Sequence, residues 1–194
     1  MLNQSVDYLE RLKISLQKLD LNKLELLKIR IGSLIGTNYT LFICGNGGSA
    51  ATSSHLACDL GKTILGRYPR RSYKRLRVIS LNDSIPTLTA WGNDEGYEHV
   101  FAEQLKNLGK KKDLLIVITG SGNSANILKV LKEARKLGVK TFGFLGFNGG
   151  KAKNLVDDFI LVESNDYGII EDTHHIVIHL ITDYFKNFYS KATT

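Results

Sequence analysis

Two prolines and two cysteines in 194 residues exclude several kinds of protein at once. With so little proline, and no long Gly-, Ser- or Pro-rich stretch, nothing reads as an interdomain linker. The chain also lacks internal repeats. Its length and apolar content suit one domain with a sizeable core, spanning 1–194. Cys44 and Cys58 are too few for a disulfide framework, and neither stands in a C-x-x-C pair, so both are expected as reduced thiols. No apolar run is long enough to cross a bilayer. The opening "MLNQSVDYLERLKISLQK" alternates charge with leucine and has no continuous apolar signal core. A cytoplasmic protein is expected.

The formal charge is +7, and much of the excess lies in "GRYPRRSYKRLR". Arg67, Arg70, Arg71, Lys74, Arg75 and Arg77 could grip an anion. No aromatic interleaving or helix-turn-helix pattern accompanies them, so a solvated loop is expected and nucleic-acid binding is not.

Apolar residues recur at helical spacing through the first 36 residues: Val6, Leu9, Leu12, Leu16, Leu19, then Leu24, Leu27, Ile31, Leu34. Two helices are predicted there, with Asp20 or Asn22 capping the second. From residue 37 a βα rhythm begins. Strands are predicted at Tyr39–Gly45, Arg77–Leu81, Asp113–Thr119, Lys140–Gly146 and Phe159–Glu163. Helices are predicted at Gly48–Leu60, Tyr97–Gly109, Asn123–Gly138 and from Ile169 onward. Continuous apolar strands alternating with amphipathic helices imply a three-layer α/β fold, with a mostly parallel five-stranded sheet between helices.

In open parallel sheets, ligands bind beyond the carboxyl ends of the strands. Two loops lie there: "GNGGS" after the first strand and "TGSGNS" after the third. "GNGGSA" also fits the dinucleotide pattern G-x-G-x-x-A, but that site wants an acid roughly 20 residues on. The second strand ends only at Asn82 and Asp83, and no G-K-[ST] follows the loop. A nicotinamide site and a P-loop are both set aside. Thr119, Ser121 and Ser124 supply hydroxyls before a helix start, an arrangement suited to a small dianion such as a phosphomonoester.

His55 and Asp59 stand at i and i+4, as do Glu171, His175 and His179 along the closing helix. Imidazole and carboxylate together suit a divalent ion, or a proton-transfer pair. A single such pair usually means an exposed ion pair. Two sets, one beside a phosphate-type loop, point to a site.

"CGNGGSA…H", "GND" (Gly92–Asp94), "TGSGNSAN", "GFNGG" (Gly146–Gly150) and the final "H…H" helix together resemble the sugar isomerase (SIS) domain family. Within it they resemble the phosphoheptose isomerase branch, over nearly the whole chain. The resemblance implies an aldose–ketose isomerase converting sedoheptulose 7-phosphate to D-glycero-D-manno-heptose 7-phosphate through an enediol, for surface heptose synthesis. It implies a zinc ion on His55, Asp59, Glu171 and His179, with Asp59 or Glu171 as base and His179 as its partner. Phosphate would rest on Ser49, Thr119, Ser121 and Ser124 with the Gly47, Gly48 and Gly120 backbone, and sugar hydroxyls on Asn46 and Asp94. It also implies a homotetramer, with helices 1–36 in the interfaces of a 37–194 core. Asp59 stands where the family has Glu, and Glu171 where it has Gln. That keeps two other readings open: an isomerase of another sugar phosphate, or a non-catalytic sugar-phosphate-binding regulator. His175 is read as a packed core histidine in preference to an extra ligand, His174 as structural, and Trp91 and the tyrosines as packing.

Overall fold

The computed structural model describes residues 2–67, 69 and 71–191; Arg70 of the basic stretch lies outside them. Five strands form one sheet: β1 (Thr40–Gly45), β2 (Arg77–Ser80), β3 (Leu114–Thr119), β4 (Lys140–Gly146) and β5 (Asp158–Val162). Their order is β2-β1-β3-β4-β5 and every pairing is parallel. The helices are α1 (Leu2–Gln17), α2 (Leu21–Gly32), α3 (Gly48–Gly61), α4 (Ile85–Asp94), α5 (Ala102–Leu108), α6 (Ala125–Leu137) and α7 (Tyr167–Lys191).

Strand alternation builds two apolar layers. Leu41 and Ile43 of β1, with Ile116 and Ile118 of β3 and Phe142 and Phe144 of β4, face α2, α3 and α7. Phe42 and Cys44, with Leu115, Val117 and Leu145, face α5 and α6. Each large side chain fully buried this way contributes about 1.5–3 kcal/mol of transfer free energy, which holds the sheet rigid beneath the loops.

The strand order sets the site. From β1 the chain steps outward to β2, then returns across to β3 and continues the other way to β5. Loops after β1 and β3 therefore part in opposite directions and leave a crevice between them. Register brings the two strand ends level, with Gly45 beside Ile118.

Local chemistry matches the sequence at several ends. Asp20 caps α2, its carboxylate accepting from Asn22 N at 3.0 Å and Lys23 N at 3.3 Å. Gly138 closes α6 in the left-handed region at φ 71°. Two departures occur. Helix α4 was not predicted; it buries none of its residues, so it leaves no core-facing stripe to read. The single helix predicted over Tyr97–Gly109 is a 3-10 turn at Tyr97–His99 followed by the shorter α5.

Candidate active site

The β1–α3 turn is tight for a reason visible in its glycines. A side chain at Gly45 would meet the Ser49 carbonyl at 2.6 Å, and Gly47 sits at φ 56°. Asn82, just past β2, brackets Gly45 by accepting from its N–H at 3.1 Å and donating to its carbonyl at 2.9 Å. The turn thus leads straight into the first N–H groups of α3, which lack intrahelical partners.

Across the crevice, the β3–α6 loop presents hydroxyls. Thr119 Oγ1 accepts from Gly122 N at 3.1 Å and Ser121 Oγ from Asn123 N at 3.3 Å. Each oxygen is engaged as an acceptor, so each O–H is left to donate to an anion. Ser124 caps α6 without a side-chain capping bond. The "GFNGG" segment braces this loop from behind. Gly122, at φ 65°, comes so close to the Gly149 carbonyl that a Cβ would lie 2.1 Å from it, and Ala152 N donates to Gly122 O at 2.9 Å.

Asn46 bridges the two loops. Its amide nitrogen donates to Asn126 Oδ1 at 2.9 Å, and Asn126 returns a bond to Asn46 Oδ1 at 2.8 Å. The Tyr97 hydroxyl also donates to Asn46 Oδ1, at 3.2 Å. Asp94 ends α4 three residues earlier, exposed, with Asn93 donating to its carboxylate at 2.8 Å. Asn126 and Tyr97 were not singled out in the sequence, Tyr97 having been read as packing. Only the "GNSAN" context of Asn126 carried a signal.

The chemistry-bearing groups lie on a seam between α3 and α7. Thr52 meets His175 and Asp59 meets Thr182, both pairs 123 residues apart. Gly48 and Glu171 keep the same offset, with Glu171 Oε2 only 2.6 Å from where a Gly48 Cβ would be. A constant offset means that the helices run parallel and in register. The seam thus reads, from the loop downward, Gly48/Glu171, Thr52/His175 and Asp59/Thr182, with the His55 and His179 rings meeting between the last two.

Three imidazoles gather on its outer side. Ring centroids are 4.8 Å apart for His55 and His175, and 5.1 Å for His179 to each of the others. One nitrogen from each lies within 4.8 Å of the other two. Zn–N bonds near 2.0–2.1 Å ask for closer nitrogens than that, roughly 3.4 Å apart in a tetrahedron. The rings are half-buried or exposed and free of a packed core, and three imidazoles so placed make a donor group of the kind a divalent ion takes. His175 is therefore not the packed core histidine expected; it is half-buried beside His55 and His179. Partial burial, then the two neighbouring imidazoles, push its pKa down.

Asp59 is buried one turn below. Its Oδ2 lies 3.6 Å from His55 Nε2 and accepts from the Thr182 hydroxyl at 3.0 Å. Glu171 stands one turn above His175 and two above His179 on α7, half-buried against Gly48. Of the four ligands implied by resemblance, the structure brings His55 and His179 together, sets Asp59 behind His55, and leaves Glu171 at the loop mouth. His174 faces the sheet instead. Its Nε2 donates to Leu145 O at 3.3 Å, and burial pushes its pKa down to about 4. It is neutral and structural, as expected.

Residues 7–146 match the family model described as SIS domain. The chain is 42% identical to a phosphoheptose isomerase of Helicobacter pylori strain P12 over 93% of its own length and 91% of that protein. Its fold superposes on a phosphoheptose isomerase from Francisella tularensis with a TM-score of 0.85 at 28% identity, covering 96% of this chain and 98% of that one. A phosphoheptose isomerase from Neisseria gonorrhoeae gives 0.80 at 26% identity, covering 96% and 100%. The chain belongs to the SIS domain family and, within it, to the phosphoheptose isomerases.

Proposed function

We propose that this protein interconverts sedoheptulose 7-phosphate and D-glycero-D-manno-heptose 7-phosphate, an aldose–ketose isomerisation. The observation that carries the reading is the distance between the hydroxyl-rich loops and the imidazole rung. Ser49 to His55 is six residues of α3, roughly 9 Å at about 1.5 Å per residue. A heptose has six C–C bonds of about 1.5 Å and spans roughly 8 Å when extended. Phosphate held at Ser49, Thr119, Ser121 and Ser124, over the backbone of Gly47, Gly48 and Gly120, brings C1 and C2 to His55 and His179.

There a base takes the proton alpha to the carbonyl and an acid returns one to the neighbouring carbon through a cis-enediol. Of the two candidate bases, Asp59 lies beside His55, and Glu171 lies against Gly48 at the loop mouth, farther from C1 and C2. We take Asp59 as base and His179 as its partner, with Glu171, Asn46 and Asp94 on sugar hydroxyls. Zn²⁺ is the ion proposed for the histidine cluster, where it would stabilise the developing enediolate charge. A scaffold that only bound sugar phosphate would need neither the imidazoles nor the buried carboxylate, which disfavours the regulator reading.

The proposed assembly is a homotetramer in the cytoplasm. α1 rests on α7 through Tyr8–Asp172 and Ser15–Thr173 contacts, and Arg11 pairs with Asp166 just ahead of that helix, while Val6 and Leu9 remain exposed and suited to a neighbouring subunit. Among the described residues, no helix is long and apolar enough to cross a membrane.

The test is turnover of sedoheptulose 7-phosphate, with and without chelator, by wild type and His179→Ala. The expected result is wild-type turnover, sensitive to chelator and reduced about 100-fold or more by the substitution. Turnover of a pentose or hexose phosphate in its place would overturn the substrate. Turnover untouched in His179→Ala would overturn the site.

A further inference from the structure

We propose that His175 is the third ligand of a tris-imidazole metal centre with His55 and His179, and that Thr52 is the positioning residue that prepares it. The inference rests on the site assigned above but concerns which side chains hold the ion.

The first support is proximity. Among the described residues, the mutually close donor group is these three histidines. Asp59 reaches His55 at 3.6 Å but is not part of that group, and Glu171 is turned toward Gly48.

The second support is the hydrogen bonding around His175. Thr52 has one hydroxyl proton, and its Oγ1 donates to Gly48 O at 3.2 Å. The same Oγ1 lies 3.5 Å from His175 Nδ1. With its proton on the shorter contact to Gly48, the hydroxyl is placed to accept from His175. The proton of the neutral ring then sits on Nδ1, and the lone pair is left on Nε2. Fixing a ligand imidazole through a bond to its other nitrogen is how proteins orient such rings. The same contact ties the metal site to Gly48, the first residue of α3 and the floor of the phosphate loop.

Three neutral nitrogens leave the ion its full charge and a fourth position open, a Lewis-acid arrangement suited to a carbonyl or enediolate oxygen. They also leave both carboxylates uncoordinated. Asp59 is then free for proton transfer and Glu171 for the sugar.

The experiment is a titration of the full-length apoprotein with Co²⁺, reading the visible absorption of the bound ion and its affinity by chelator competition. Wild type is expected to bind one ion per chain with a tetrahedral spectrum. His175→Ala and the bulkier His175→Gln should each weaken binding by more than about 100-fold, since even residues that only orient ligands account for roughly 10- to 100-fold. Thr52→Val, of nearly equal shape, should weaken it by about 10-fold or more, and Thr52→Ser should restore it. Glu171→Gln should leave affinity and spectrum unchanged. Thermal melting of each apoprotein separates folding from binding; His175 is half-exposed. Wild-type affinity in both His175 variants would overturn the proposal, as would a 100-fold loss in Glu171→Gln. Wild-type affinity in Thr52→Val would overturn the positioning role. None of these readouts uses turnover, so failure of the isomerase reading would show in the sugar assay alone.

Discussion

Adjacent glycines at the start of α3 offer a separation of activity from stability. Gly48 is helical, and a Cβ there would sit 2.6–2.9 Å from the carboxylate atoms of Glu171. An ordinary carbon–oxygen contact is about 3.3 Å. The Gly48→Ala methyl must therefore push the carboxylate back by roughly 0.7 Å. Glu171 ends a flexible arm at a half-exposed position, so it yields without disturbing the fold. Alanine in a helix is itself no worse than glycine. A hydrogen bond of about 2.8 Å from a sugar hydroxyl would stretch to roughly 3.5 Å, beyond useful geometry. Losing a hydrogen bond to a charged group costs about 1.5–3 kcal/mol, or roughly 10- to 150-fold in kcat/KM. Gly47→Ala is the opposite case. Nothing lies within 4 Å of its Cβ, but its φ of 56° penalises any side chain, so stability should fall by about 1–2 kcal/mol. Steady-state kinetics and melting curves on both variants decide it. Gly48→Ala with wild-type kcat/KM would show that Glu171 does not touch the sugar. A collapse of its melting temperature would show that the carboxylate cannot move.

Two further outcomes are expected. The pKa of His174 is depressed from 6.5 to about 4 by burial, so between those values the unfolded chain binds a proton that the folded chain refuses. Its contribution is complete above pH 6.5 and is lost as pH falls toward 4, at up to about 1.4 kcal/mol per pH unit. His174→Leu should flatten that part of the denaturation profile relative to wild type, and an unchanged slope would refute the assignment. Light scattering should give a mass four times the 21.6 kDa chain, and Leu9→Lys on the exposed face of α1 should lower it; a wild-type monomer at micromolar concentration would refute the tetramer.

What the sequence disclosed followed from local rules. Apolar runs such as "DLLIVIT" read as buried strands because period and composition are properties of the segment alone. Asp20 and Gly138 read as helix ends because capping involves only a few consecutive residues. α4 escaped because its stability comes from its ends and neighbours, with no buried stripe to produce a period. Thr52 escaped because a threonine in a helix has no signature until its partner across the seam is known.

The histidines show where that boundary lies. Spacing alone put Glu171, His175 and His179 along one side of α7, and His55 and Asp59 along one side of α3. It could not say which turn of α3 faces which turn of α7. That register is set by packing between segments more than 100 residues apart, with the sheet between them in sequence. One turn of slip, about 5.4 Å, would exchange His175 for Glu171 or His179 as the neighbour of a given rung. The observed offset of 123 residues decides it, placing Thr52 against His175 and Asp59 against Thr182, with the His55 ring beside that of His179. Asp59 thereby falls below the imidazoles and Glu171 above them, so the two carboxylates lie on opposite sides of the histidine cluster. The two departures from the family pattern, a shortened acid at 59 and an added charge at 171, are then consistent with a centre in which neither carboxylate has to reach the ion.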